Sequence, residues 1–283
     1  MEEDNPGKKL AKIFIIVVLL IILFTGKIKI SDKEINIKSL LNINSSTQEL
    51  VDSMVIQENS IKTINLLTYS TDLEIKESKE DIRLEYYSNT ENNPKIIKEE
   101  NSIHLDERNY DNACFGICNI NRTLVLYIPS NYYGKLNITT TSGDVKSTTN
   151  INFGDEVDIV TGSGDVSLLD VNSIYVKTTS GDIKIKEGNI TLLSTTSGDI
   201  RIKKVNNRIA IQTVSGDVTL GELNIKENSS INTTSGDVKV KNNISNCYVS
   251  ESTTSGDVRI KKSNRKSDIE LKIKTTSGDI IVN

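Results

Sequence analysis

Eight aspartates share one context in this chain: Asp144, Asp165, Asp182, Asp199, Asp217, Asp237, Asp257 and Asp279 each close a Ser-Gly-Asp triplet. Carboxylates repeated along a stack could bind calcium, and Asp182, Asp199, Asp217 and Asp237 form the candidate column. Calcium-binding β-rolls, however, use a shorter repeat with a denser ligand set. Capping of the turn's own N–H groups is the simpler role. Basic residues follow the triplets in pairs: Lys184 and Lys186, Arg201 and Lys203, Lys239 and Lys241, Arg259 and Lys261, with Thr219 and Gly221 interrupting them. A row of cations at regular spacing suits an anionic envelope polymer or lipid headgroups. The same cations could simply neutralise the aspartates. Carboxylates stacked about 4.8 Å apart repel by about 0.9 kcal/mol even in water, so such relief is needed.

Catalytic chemistry finds little support. A polysaccharide-cleaving β-helix needs a cluster of carboxylates or arginines that breaks the repeat on one face. The only irregularity is Glu251, and a local bulge accounts for it. Trp is absent, so a sugar-stacking platform would fall to Tyr132 and Tyr133. His104 reads as an ordinary strand residue. The expectation is a protein that is not an enzyme, with no cofactor. A net charge of −4, from 34 basic and 38 acidic residues, gives no reason to expect nucleic acid as a partner.

The elements that position these side chains follow from the repeat. With Ser-Gly-Asp in register, the glycines fall at 143, 164, 181, 198, 216, 236, 256 and 278, at intervals of 17 to 22 residues. That period is too short for two helices and fits one coil of a β-solenoid. After each Asp comes a β-branched residue, from Val145 to Ile280, and two positions later an aliphatic one in every copy except Ser147. Ahead of the turn stand Ile138, Ile159, Val176, Leu193, Ile211, Ile231 and Ile273, with Glu251 in the seventh copy. Each coil therefore has a strand entering and a strand leaving the corner, alternating inward apolar with outward polar. A Thr two residues before every Ser falls on the inward phase, and its hydroxyls should bond along the stack. The corner absorbs one residue of phase, and the glycine is expected to supply positive φ there.

A worn copy, INLLTYSTDLEI, puts Thr71 in the glycine column and starts the solenoid near Ile61. IRLEYY, SIHLDE and TLVLYIP read as strands of a less regular cap. At the other end, IIVN is a candidate bare edge able to join another copy. Cys114 and Cys118 could close a small disulfide, remain free thiols, or, with His104, form a poor zinc site. Cys247 reads as a buried apolar residue.

The apolar run over 13–26, flanked by Lys12 and Lys27, is a membrane-directed segment with no A-x-A-like cleavage site after it. It reads as an uncleaved transmembrane signal anchor, with secretion after cleavage as the alternative. The organisation expected is a cytoplasmic tail over 1–12, the anchor over 13–26, a stem over 27–60 and an extracytoplasmic solenoid over 61–283.

TLVLYIPSNYYGKLNITTTSGDV, followed by repeated T-T-S-G-D-[VI]-x-[VI], resembles the putative-adhesin β-strand-repeat domains of bacterial envelope proteins, a domain of unknown function. The resemblance covers residues 61–283. It implies a single-stranded, right-handed β-helix and non-catalytic work at the cell envelope, often beside envelope-stress systems. The Cys loop and Asn-rich insertion ahead of the IP segment depart from that pattern.

Overall fold

The computed structural model describes residues 27–30, 33–36, 47–56, 61–108, 120–130, 132–150, 156–190 and 192–283. The membrane-directed run over 13–26, the tail before it, and Cys114 and Cys118 lie outside the described residues. Among the described residues the protein is all-β, consistent with a solenoid. Two compact units divide it. The smaller, residues 1–48, 89–91 and 112–121, holds an antiparallel ribbon of Lys27–Ile30 and Lys33–Asn36. The larger carries the repeats.

In the larger unit each repeat gives one strand to each of two sheets, one built from strands entering the corner and one from strands leaving it. The entering sheet runs through Thr63–Leu67, Lys135–Thr140, Val157–Thr161, Ile174–Lys177, Leu192–Ser194, Ala210–Gln212 and Ser229–Asn232, all parallel. The leaving sheet matches it from Asp72–Ser78 to Val238–Asn243. Inward aliphatics stack in unbroken columns, such as Val166, Ile183, Ile200 and Val218, all fully buried. Each such side chain contributes about 2 kcal/mol of apolar burial. The worn copy belongs to the stack: Leu73 pairs in register with Val145, and Ile64 with Leu136.

Both ends depart from sequence order. At one end Ser102–Asp106 and Arg122–Pro129 lie outside the worn coil, although they follow it in the chain. Antiparallel strands then close the end: Ile97–Glu99 on one sheet, Ile82–Ser88 and Glu49–Ile56 on the other. The sheet thus takes in residues before 61 that read as stem in the sequence. At the opposite end Glu270–Lys274 and Ile280–Val282, the Gly278 coil, lie between the Gly236 coil and the Gly256 coil. The IIVN strand is therefore not bare. It is paired on both sides, with Ile280 and Val282 fully buried. The outermost strands are Tyr248–Ser252 and Val258–Ile260.

Glu251 explains this inversion. Its register is continuous, Val249 with Leu271, Ser250 with Lys272 and Glu251 with Ile273, so the expected bulge does not exist. A carboxylate in an inward column between two coils would be buried without a partner, at a cost of several kcal/mol. The Gly278 coil, with Leu271, Ile273, Ile280 and Val282 inward, suits the interior position. The Gly256 coil takes the end, where Glu251 is exposed to water.

The corner glycines serve space rather than φ. Of the eight, only Gly256 has a positive φ, and at 157° it is nearly extended. A Cβ built on Gly164 would stand 1.9 Å from the Gly143 carbonyl oxygen, and one on Gly198 1.9 Å from that of Gly181. Coils approach so closely at the corner that no side chain fits. Thr71 is tolerated because it opens the glycine column: a Cβ on Gly143 would meet the Thr71 carbonyl, whereas the Thr71 side chain turns to the buried Glu107.

Candidate functional site

The aspartate column is a hydrogen-bond ladder. Each Asp N–H donates to Oδ1 of the Asp in the adjacent coil: Asp144 to Asp72, Asp165 to Asp144, Asp182 to Asp165, Asp199 to Asp182, Asp217 to Asp199 and Asp237 to Asp217, at 2.8–3.0 Å. At the inverted end it continues in spatial order, Asp279 to Asp237 and Asp257 to Asp279, both 2.8 Å. The carboxylates thus cap the neighbouring coil and not, as the sequence suggested, their own turn. The turn's own glycine N–H is taken by the inward Thr. Gly143, Gly164, Gly181, Gly198 and Gly216 donate to Thr140, Thr161, Thr178, Thr195 and Thr213 at 2.9–3.1 Å. In these five coils the hydroxyl accepts within its own coil, and Thr140 also reaches the adjacent one, donating to the Tyr69 carbonyl at 3.5 Å. Thr275 and Thr253 do reach the adjacent coil, donating to the Gly236 and Gly278 carbonyls.

At Asp165, Asp182 and Asp199 the ladder meets two cations of the first basic row. Lys184 Nζ stands 3.6 Å from Asp165 and 3.4 Å from Asp182; Arg201 bridges Asp182 at 3.2 Å and Asp199 at 2.6 Å. Burial alone would push the Asp182 carboxyl up. The Asp199 N–H, Lys184 and Arg201 outweigh it and hold the group below the ordinary carboxylate value. Asp182 and Asp199 have one oxygen bonded to backbone and the other to cations, whereas Asp217 and Asp237 accept the backbone bond with no ion pair among the described residues. Among the described residues no group of three or more His, Cys, Asp or Glu side chains is placed to hold a metal.

The second basic row is different. Lys186, Lys203 and Lys241 are exposed and have no ion pair with a described residue. Together with Lys184, Arg201, Thr219 and Gly221 they line an open depression of about 430 Å³ on the outer face of the leaving sheet. Gly221 keeps its floor low: a Cβ there would be 2.3 Å from the Lys203 carbonyl. Further along the strands, Lys204 reaches Glu187 at 2.6 Å and Asn206 adds a bond of 2.7 Å, which together hold the Glu187 carboxyl low.

The eight candidate cations do not form one track. Lys184 and Arg201 are register partners, and Thr219 separates Arg201 from Lys239. Beyond Lys239 the inserted coil places Ile281, and only then comes Arg259. Arg259 and Lys261 belong instead to an exposed cluster with Lys262, Arg265 and Lys266 on the outermost coil and its following loop. The blocks expected to adjoin are parted by a strand that no local pattern marks.

Other candidates resolve as structural. Both His104 ring nitrogens are engaged, Nε2 with Ser102 at 2.7 Å and Nδ1 with Asn65 at 3.3 Å. Tyr132 is buried and Tyr133 fully out in solvent, so they form no paired platform. Cys247 is buried, which pushes its thiol up. No sequence pattern marks Glu107, a buried carboxylate accepting from the Tyr69 N–H at 2.6 Å, the Thr71 hydroxyl and the Tyr86 hydroxyl at 2.5 Å.

The model of one known family matches residues 61–283, the whole of the repeat stack. The chain belongs to the Toastrack DUF4097 family. Solved structures resemble it at low identity. A putative adhesin from Parabacteroides distasonis ATCC 8503 matches at TM-score 0.54 and 15% identity, over 83% of this chain and 97% of that one. A putative adhesin from Bacteroides fragilis NCTC 9343 matches at 0.46 and 13%, over 84% and 99%. A putative lipid binding protein from Parabacteroides distasonis ATCC 8503 matches at 0.47 and 15%, over 84% and 98%. No curated protein matches the chain. At 15% identity and a TM-score of 0.54 the likeness to the first of these is one of fold alone and leaves function to the site.

Proposed function

We propose that this Toastrack domain is a non-catalytic binding module, held outside the cytoplasm by a membrane anchor over 13–26, that holds an anionic envelope polymer along its lysine face. The observation that carries the reading is the division of labour between the two basic rows. Lys184 and Arg201 are taken up by Asp165, Asp182 and Asp199 of the ladder. Lys186, Lys203 and Lys241, one step further from the corner, surround the depression over Gly221 with their charge uncommitted. Rigid strands at about 4.8 Å spacing hold such charges in a fixed row, which suits a chain of phosphate or carboxylate groups. A shallow, open depression suits a polymer segment better than an enclosed small substrate. The neighbour described as a putative adhesin is in keeping with a surface role, by analogy of fold alone. A place beside envelope-stress signalling belongs to this reading through the family resemblance.

The test is co-sedimentation of the full-length protein, in detergent, with cell-wall sacculi that retain or lack their anionic polymers, across salt and chelator. Binding that needs the polymers, weakens with salt and is lost in a Lys186→Gln, Lys203→Gln, Lys241→Gln variant supports the reading. Binding that survives the triple substitution, or that a chelator abolishes, overturns it.

A further inference from the structure

We propose that the Gly278 coil is exchangeable, and that the slot it fills between the Gly236 and Gly256 coils accepts the same coil from a second copy of this chain. This goes beyond the binding role, because it concerns how copies join. The slot is lined by backbone on both sides. Thr233 N–H donates to Lys274 and Val238 N–H to Asp279 on one side; on the other, Tyr248 N–H donates to Ile269, Thr275 N–H to Ser252 and Ile280 N–H to Asp257. The aspartate ladder also crosses the slot through Asp279, which links Asp237 to Asp257. A strand pair with an SGD corner satisfies both walls, so the slot accepts a coil of this repeat, and the Gly278 coil is the one whose chain connection lets it leave and re-enter.

The linker is built to open. Residues 261–268 are polar and include Lys261, Lys262, Ser263, Arg265, Lys266 and Asp268, all exposed. Most of its hydrogen bonds run to the coil before it, Asn264 N–H to Cys247 and Ser267 Oγ to Asn246, while Lys261 N–H donates to Val282 and Ser267 Oγ accepts from Ile269 N–H in the inserted coil, bonds that opening must break. The crossing into the inserted coil falls at Asp268. Straightening the chain there carries residues 269–283 out as one unit, the usual geometry of a swapped element.

Edge-to-edge pairing of two copies is disfavoured at this end. Glu251 stands in the inward row of the outermost coil, with Arg259 and Lys261 beside the exposed Val258. Two such edges would set like charges face to face. A swapped dimer would join two lysine faces and so bind a polymer at two points, with the gain in avidity that linkage brings.

The test uses full-length chains carrying Cys114→Ser and Cys118→Ser. One tagged copy also carries Ser230→Cys and a differently tagged copy Lys272→Cys, since these residues are register partners across the slot. After warming together and oxidation, a disulfide between the two tags is expected in a dimer fraction that grows with concentration. Adding Gly278→Val to the Lys272→Cys copy should abolish it, because the coil can no longer stack. A chain carrying both cysteines serves as control. A disulfide that forms within that chain but never between copies overturns the proposal.

Discussion

Glu251 lies in register with Ile273, the first in the outermost coil and the second fully buried one coil inward. The two occupy the same column of the repeat, and their exchange of places sets the spatial order of the coils. Swapping their chemistry should reveal this directly. Ile273→Glu buries a carboxylate between two coils and is expected to cost about 3–5 kcal/mol, read as a fall in urea midpoint. Glu251→Ile should leave stability nearly unchanged but create an apolar open end, seen as concentration-dependent association in sedimentation velocity.

Gly198 tests the close approach of corners. With a Cβ at 1.9 Å from the Gly181 carbonyl, Gly198→Ala must push two coils apart. The expected loss is about 3 kcal/mol or more, since it strains backbone rather than a movable side chain. A Tm within a degree or two of the parent would contradict the geometry.

Acid should loosen the ladder. The folded Asp182 carboxyl titrates below its ordinary value of 3.8, so its contribution is complete above that value and is lost as pH falls through the lower, folded one. Removing the cations in a Lys184→Gln, Arg201→Gln variant raises the folded value, and the acid-unfolding midpoint should move to higher pH. An unchanged midpoint would show that these pairs contribute nothing.

Tyr86 donates to the buried Glu107 carboxylate, and burial together with that carboxylate holds its phenol far above the ordinary value. Tyr86→Phe removes one of three donors. The expected cost is about 1.5–3 kcal/mol, the range for a hydrogen bond to a charged group, measured by chemical unfolding at neutral pH.

The columns were readable in the sequence because a period-two pattern with one fixed corner leaves few alternatives: Val166, Ile183 and Ile200 announce a buried row by themselves. The order of the coils was not. Ile281 and Arg259 look equivalent in a local alignment, and only the whole stack decides which lies inside. Glu251 carried the signal, since one carboxylate in an apolar column marks an end, but sequence order suggested that the end lay at IIVN. The function of the glycine was misread for a related reason. A turn in isolation suggests a φ requirement, whereas the constraint comes from the neighbouring coil, some twenty residues away. The lysine rows were visible as pairs, but not which row the aspartates would occupy.

A chain made from its N-terminus exposes its coils one after another, and most of this stack can close as it emerges. The end cannot. The Gly256 coil appears before the Gly278 coil that must lie beneath it. Until residues 270–282 are available, the growing edge at Val238–Asn243 stays open or takes a provisional partner. Maturation therefore has a late, rate-setting step at that end, and a nascent-chain pulse with protease should find the region after residue 240 as the last to become resistant.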